Sequence, residues 1–182
     1  MNTWIALLRG INIGGNHLLP MAQLKQLLAR HDCHDVMTYI QSGNVVFRSP
    51  EADAAALEDR LTAAIAAAHG FAPRTLILAR DELAAAVASN PFPEAAQAPK
   101  TVHLFFLTAP PPTPNTAALD ALKTTDRYAL HHRYFYLHTP DGFGKSKLAE
   151  RAERHLGVPA TARNWNTVTK LVDMLGAYPD HQ

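Results

Sequence analysis

Trp4-Ile-Ala-Leu-Leu8 is an unbroken apolar run, the pattern of a central strand buried on both faces. After a glycine-rich loop, Pro20 fits a first helical turn, and Met21, Leu24, Leu27 and Leu28 then repeat at helical spacing. Asp35–Ile40 and Val45–Arg48 are rich in β-branched and aromatic residues, and Ser42-Gly43-Asn44 between them makes a hairpin turn. Residues 52–69 place Leu57, Leu61, Ile65 and Ala68 on one helical face and stop at Gly70; Arg74–Ala79 follows as a strand. The order βαββαβ is the ferredoxin-like unit.

A short helix, Asp81–Ser89, runs into Asn90-Pro-Phe-Pro93 and a small-residue stretch ending at Pro99. The pattern then starts again. Thr101–Thr108 reads as a strand, and Ala109–Pro114, with four prolines in six residues, has no regular structure. A helix at Asn115–Lys123, strands at Arg127–His131 and Tyr134–His138, and helices at Lys145–His155 and Asn164–Leu175 complete the chain. The second half is thus expected to be βαββαα, its last strand replaced. The predicted class is α+β: two ferredoxin-like halves with antiparallel-rich sheets and helices on one face. The expected division is 1–80, a linking 81–99, and 100–182 with the C-terminal helix.

Topology has a consequence for function. In a βαββαβ unit, the end of the first strand and the turn of the hairpin share one sheet edge. Arg9–Asn16 is therefore expected beside Gln41-Ser42-Gly43-Asn44, far away in sequence.

Composition narrows the class of protein. The 182 residues are 47% hydrophobic and 18% charged, enough for a packed core with a polar surface. No run of eighteen apolar residues is present, and MNTWIALLRG lacks the basic start and cleavage site of a secretory signal, so no membrane partner is expected. Cys33 is the only cysteine, which excludes an internal disulfide and fits a reducing cytoplasm. The net charge is +1, but residues 143–170 hold six basic and two acidic groups, a modest basic patch.

Four stretches offer chemistry. Arg9-Gly-Ile-Asn12-Ile-Gly14-Gly15-Asn16 combines an arginine, adjacent glycines and a helix start, the ingredients of an anion cradle; the alternative is a plain turn. Its spacing does not fit the dinucleotide fingerprint. Asp141-Gly-Phe-Gly-Lys145-Ser146-Lys147-Leu148 follows a strand and opens a helix. Position 139 is threonine, so the Walker A spacing fails and only a secondary anion patch through Lys145, Ser146, Lys147 and Lys170 is left. Arg163-Asn164-Trp165-Asn166 heads the last helix, where an asparagine is an ordinary cap and Trp165 is either core or a stacking platform. His31-Asp-Cys33-His34-Asp35 lacks a second ligand-bearing segment, so no metal site is expected. No cofactor is implied. Ser42 has no nucleophile elbow, and the hairpin strand lacks the aromatic pattern of an RNA-recognition sheet.

Taken together, LLRGINIGG with Pro-Met shortly after, TYIQSGNVVF, PDGFGKSKL and PATARNWNTVTKL resemble the bacterial domain-of-unknown-function family numbered 1697, in order from residue 3 to residue 175. The resemblance implies two ferredoxin-like halves and no established activity. The family signature falls on Arg9, Gly10, Asn12, Gly14 and Gly15, then on Gln41, Ser42, Gly43 and Asn44. It continues on Ser146, Lys147, Arg163, Asn164, Trp165, Asn166, Thr167 and Lys170. Asn16-His17-Leu18 departs from the more basic loop the family leads one to expect.

A signature that is polar and loop-borne favours a site over packing alone. The leading expectation is an uncharacterised cytoplasmic protein that binds a small anionic molecule or nucleotide between the 9–16 loop and the 41–44 turn. Arg9 would hold the anion, Asn12 and Asn44 orient it, Gln41 and Ser42 line it, the Gly14–Gly15 amides support it, and Arg163–Asn166 close it with Trp165 stacking. The rivals are an enzyme on a phosphorylated or acyl substrate using Ser42 or Tyr39, and a non-specific nucleic-acid binder using the 143–170 patch. No residue pattern specifies an oligomeric state.

Overall fold

The computed structural model of the protein describes residues 1–178. Its backbone divides into two compact units: Met1–Ala85 with the segment from Lys170 onward, and Ala86–Thr169.

In the first unit, β1 (Asn2–Arg9) leads through α1 (Met21–Ala29) to β2 (His34–Tyr39) and β3 (Asn44–Ser49). The chain continues through α2 (Ala54–His69) to β4 (Arg74–Ala79). The sheet order is β2-β3-β1-β4, antiparallel throughout. Trp4, Ala6 and Leu8 of β1, Val45 and Phe47 of β3 and Ile77 of β4 share a core with Leu24, Leu28, Leu57, Leu61 and Ile65 of the two helices. Ile5, Leu7, Val46 and Leu78, on the alternate positions, are also buried, which is why these strands read as continuous rather than alternating apolar runs. Asp53 starts α2 by accepting from the Ala55 amide at 2.9 Å, and Gly70, at φ 77°, ends it in the left-handed conformation.

Both outer strands are protected against pairing with other chains. On β4, the Ile77 and Ala79 amides donate to the carboxylates of Glu58 and Glu82, each at 2.8 Å. On β2, a bulge between His34 and Met37, with Asp35 at φ 52°, breaks the ladder.

The second unit repeats the plan. β5 (Val102–Leu107), α4 (Thr116–Leu122), β6 (Arg127–His131), β7 (Tyr134–His138), α5 (Lys147–Leu156) and β8 (Ala160–Asn164) form an antiparallel sheet in the order β6-β7-β5-β8. This is the order of the first sheet. The expected missing strand is present: β8 pairs with β5 from His103↔Asn164 to Leu107↔Ala160. Ala-Thr-Ala-Arg-Asn has no alternation and little β propensity, so its pairing with β5, rather than its own residues, makes it a strand. The second half is therefore βαββαβ, followed by α6 (Trp165–Leu175). Its core joins Phe105, Leu107, Phe135 and Leu137 to Leu119, Leu148 and Leu156.

The helix after β4, α3 (Arg80–Ala88), spans the boundary between the two units, and α6 starts in the second unit and ends in the first. The physical reason for the second crossing lies at Tyr178. Its hydroxyl donates to the carbonyls of Val46, at 3.1 Å, and Asp35, while the Arg80 guanidinium donates to the carbonyls of Leu175, at 2.7 Å, and Tyr178. The terminal segment is thus tied to β2 and β3. Among the described residues no helix is long and apolar enough to cross a membrane. Tyr178→Phe keeps the ring and removes only the hydroxyl, so urea unfolding should show a loss of about 1–2 kcal/mol. An unchanged midpoint would contradict the tie.

Candidate functional site

The two loops that topology brings to one edge do meet. The Leu8 amide donates to the Gly43 carbonyl at 2.8 Å, and the Asn12 carboxamide bridges the rest. Its Nδ2 donates to the carbonyls of Gln41 (2.7 Å) and Leu19 (3.0 Å), and its Oδ1 accepts from the Leu19 amide (2.8 Å). Asn12 sits at φ 55°, a conformation asparagine tolerates better than most residues. Asn44 is buried, with Nδ2 donating to the Ser42 hydroxyl (2.9 Å) and the Tyr39 carbonyl (3.2 Å). Both asparagines thus build the edge; their amides are engaged by the protein itself.

Between Asn12 and His17 the chain makes a miniature hairpin. The Asn12 amide donates to the His17 carbonyl (3.1 Å) and the Asn16 amide to the Ile13 carbonyl (2.9 Å). Gly14 (φ 57°) and Gly15 (φ 77°) supply the two positive φ values of a type I′ turn. His17 stacks on Phe71, ring centroids 4.6 Å apart at 16°, which brings the loop before β4 to the same end. All six residues from Ile13 to Leu18 are exposed.

The groups presented there are the Arg9 side chain, the Gln41 side chain and the Gly14–Gly15 main chain, with Ser42 half-buried. A further cation, Arg74, was not foreseen from the sequence. It stands directly opposite Arg9 in the β1–β4 ladder, and both are exposed. Opposed residues in such a ladder have Cβ atoms about 5 Å apart, close enough for like charges to repel. The only sequence signal was an arginine at the start of a strand; its partner follows from sheet order. Residues 1–31, 36–50 and 61–80 contain no Asp or Glu.

Arg163, Asn164, Trp165 and Asn166 belong to the second unit. Arg163 lies on β8 opposite Leu104 and donates from Nη1 to the Ala162 carbonyl at 3.0 Å; burial pulls its pKa down to about 10. Asn164 caps α6, its Oδ1 accepting from the Thr167 amide at 3.0 Å. Trp165 is only 9% exposed, a core residue rather than an open stacking platform. Asn166 is half-buried.

Lys145 and Lys147 are exposed around Ser146, which is buried. The Ser146 Oγ accepts from the Ala149 amide (2.9 Å) and donates to Asp126 (2.6 Å), so it caps α5. A cavity of about 240 Å³ lies against Phe143, Gly144, Lys145, Ser146, Ala149 and Glu150. Acid accompanies the lysines here, through Asp126 and Glu150. Lys170 belongs to the first unit. Behind the cavity wall, His103 stacks on Phe143 with centroids 4.0 Å apart, and its Nδ1 is buried without a hydrogen-bond partner. Burial pushes its pKa down to about 4, so the imidazole is neutral. His103 passed unremarked in sequence as the one polar residue of VHLFFL. Cys33 is buried, which drives its thiol up to about 11 and makes it a poor nucleophile. Among the described residues no three His, Cys, Asp or Glu side chains are grouped to hold a metal ion.

Two glycine substitutions separate frame from surface. At Gly43 (φ 76°) a Cβ would stand 2.5 Å from the Leu8 Cβ, whereas at Gly14 nothing lies within 4 Å. Gly43→Ala should cost about 3 kcal/mol or more in chemical denaturation, from backbone strain and overpacking. Gly14→Ala should cost about 1–2 kcal/mol, from backbone conformation alone. Equal losses would contradict the close approach of the two loops.

The model of the family described as "Protein of unknown function (DUF1697)" matches residues 1–136. No curated protein matches the sequence. Among solved structures, the conserved bacterial protein SP0830 from Streptococcus pneumoniae has the same fold, with a TM-score of 0.71 and 23% identity, over 97% of this chain and 99% of that one. The Arg9 loop and the Gln41 turn both fall inside the matched residues, and the chain belongs to the DUF1697 family.

Proposed function

We propose that the end of the first unit built by the 9–16 loop and the 41–44 turn binds a small anionic molecule, a phosphate-bearing one such as a nucleotide in particular. Arg9 and Arg74 hold the charge, the Gly14–Gly15 main chain and the Gln41 carboxamide approach it, and Asn12 and Asn44 keep the two loops together. The observation that carries the reading is the register of β1 and β4, which sets Arg9 directly opposite Arg74 at the end where the glycine loop meets the Gln41 turn. Guanidinium groups grip phosphate through charge-assisted, bidentate hydrogen bonds.

Comparison of the two units supports the same end. Each carries one equivalent bond from the last residues of its first strand to its hairpin: Leu8 to Gly43 at 2.8 Å, and Leu107 to Arg133 at 2.9 Å. The loop that follows is RGINIGGN in the first unit and APPPTP in the second. Proline has no amide hydrogen to offer an anion, and glycine presents its main chain openly. We place the activity in a reducing cytoplasm, the setting that suits a chain whose single cysteine is a buried free thiol.

Thermal unfolding with pyrophosphate, ATP and sugar phosphates tests the reading. A true ligand at about a hundred times its Kd adds about 2.7 kcal/mol, a rise of roughly 5–10 °C for a chain of this size. The rise should vanish in Arg9→Gln/Arg74→Gln. Silence across all three anions, or a shift that survives the double substitution, would overturn it.

A further inference from the structure

His17 is exposed, yet the protein itself fixes its ring. The Nδ1 atom lies 2.9 Å from the Gly10 carbonyl oxygen, and the ring stacks on Phe71 with centroids 4.6 Å apart at 16°. A carbonyl only accepts, so Nδ1 carries the proton and the imidazole is held in one orientation. The His17 carbonyl in turn accepts from the Asn12 amide at 3.1 Å, with His17 at φ 50°. Beneath it, Phe71 is half-buried and packs against the core of the first unit.

The second unit shows that the fold does not require this ring pair. Gly70 and Gly157 end α2 and α5 in the same left-handed conformation, and the next residue is Phe71 in the first unit but Val158 in the second. Each packs against its own core, so an aliphatic side chain suffices at that place. The ladder differs in the same way. After Leu8 comes Arg9, opposite Arg74, whereas after Leu107 comes Thr108, whose amide donates to the Pro159 carbonyl at 3.0 Å. The stacked rings and the facing arginines are thus features of the first unit alone. They also adjoin: Gly10, whose carbonyl fixes His17, directly follows Arg9, and Phe71 precedes Arg74 by three residues.

We infer that the phosphate-bearing ligand of this end is a nucleotide whose base stacks on the face of His17 turned away from Phe71. Every base has a π-face, and histidine is among the side chains on which bases stack. A ring already fixed by a hydrogen bond and a stack loses little freedom when a base settles on it. The inference rests on the anion reading for the phosphates and adds recognition of the base, which separates nucleotides from sugar phosphates and inorganic anions.

Calorimetric titration of the full chain with ATP and with tripolyphosphate tests it. Tripolyphosphate offers the phosphates without a base, so ATP should bind about tenfold or more tighter. His17→Ala should bring ATP down to the affinity of tripolyphosphate, whose own binding stays unchanged. His17→Phe, which keeps a ring, should restore the preference. Tripolyphosphate binding as tightly as ATP to the unsubstituted protein overturns the stacking and leaves the anion reading standing. An ATP affinity that ignores His17→Ala does the same, as does a His17→Phe variant no better than His17→Ala. Parallel loss of both ligands in His17→Ala assigns His17 to holding the loop and overturns the stacking too. ATP binding that depends on His17 but survives Arg9→Gln/Arg74→Gln supports the stacking and removes the arginines from the anion reading. Silence toward both ligands overturns both.

Discussion

Everything at the candidate site depends on how the chain closes the gap between the end of β1 and the turn of the β2–β3 hairpin. Two features do it. Gly43 lets the turn lie against Leu8 at a distance no side chain would permit, and the Asn12 carboxamide satisfies three main-chain groups at once. Without the carboxamide, the part-buried Leu19 carbonyl and amide would lose their partners, a cost of about 1–3 kcal/mol each. With both features, the exposed loop from Ile13 to Leu18 is held at both ends.

The meeting of these two loops was legible in the sequence, because element order alone dictates which ends of a ferredoxin-like sheet coincide. The roles of the asparagines were not. Asn12 and Asn44 look like ligand-binding amides when read in a line, but the same groups suit main-chain donors and acceptors equally well. Only the fold shows that Leu19, Gln41 and Tyr39 present those partners. Arg74 was hidden for a similar reason: its relevance is a register relation to Arg9, 65 positions away, set by pairing between β1 and β4. The strand β8 escaped because alanine, threonine, arginine and asparagine carry no period; β5 imposes its conformation from outside.

The two units show how one topology accepts different ends. Both sheets have the same strand order and the same bond from first strand to hairpin. In the second unit the loop segments near α5 are tied by hydroxyl–carboxylate pairs, Ser146 to Asp126 and Thr125 to Asp141, each at 2.6 Å. In the first, the Gly43 carbonyl and the Asn12 carboxamide tie the loop to the hairpin turn.

Amide hydrogen exchange reads that frame directly. The Leu8, Asn12 and Leu19 amides donate hydrogen bonds, to the Gly43 carbonyl, the His17 carbonyl and the Asn12 side chain in turn. All three should exchange slowly in the native protein. In Asn12→Ala the Leu19 amide should lose its protection, and the Ile5 amide in the middle of β1 should keep it. A Leu19 amide that already exchanges at the unprotected rate in the unsubstituted protein would contradict the clamp, and with it the edge on which the site is built.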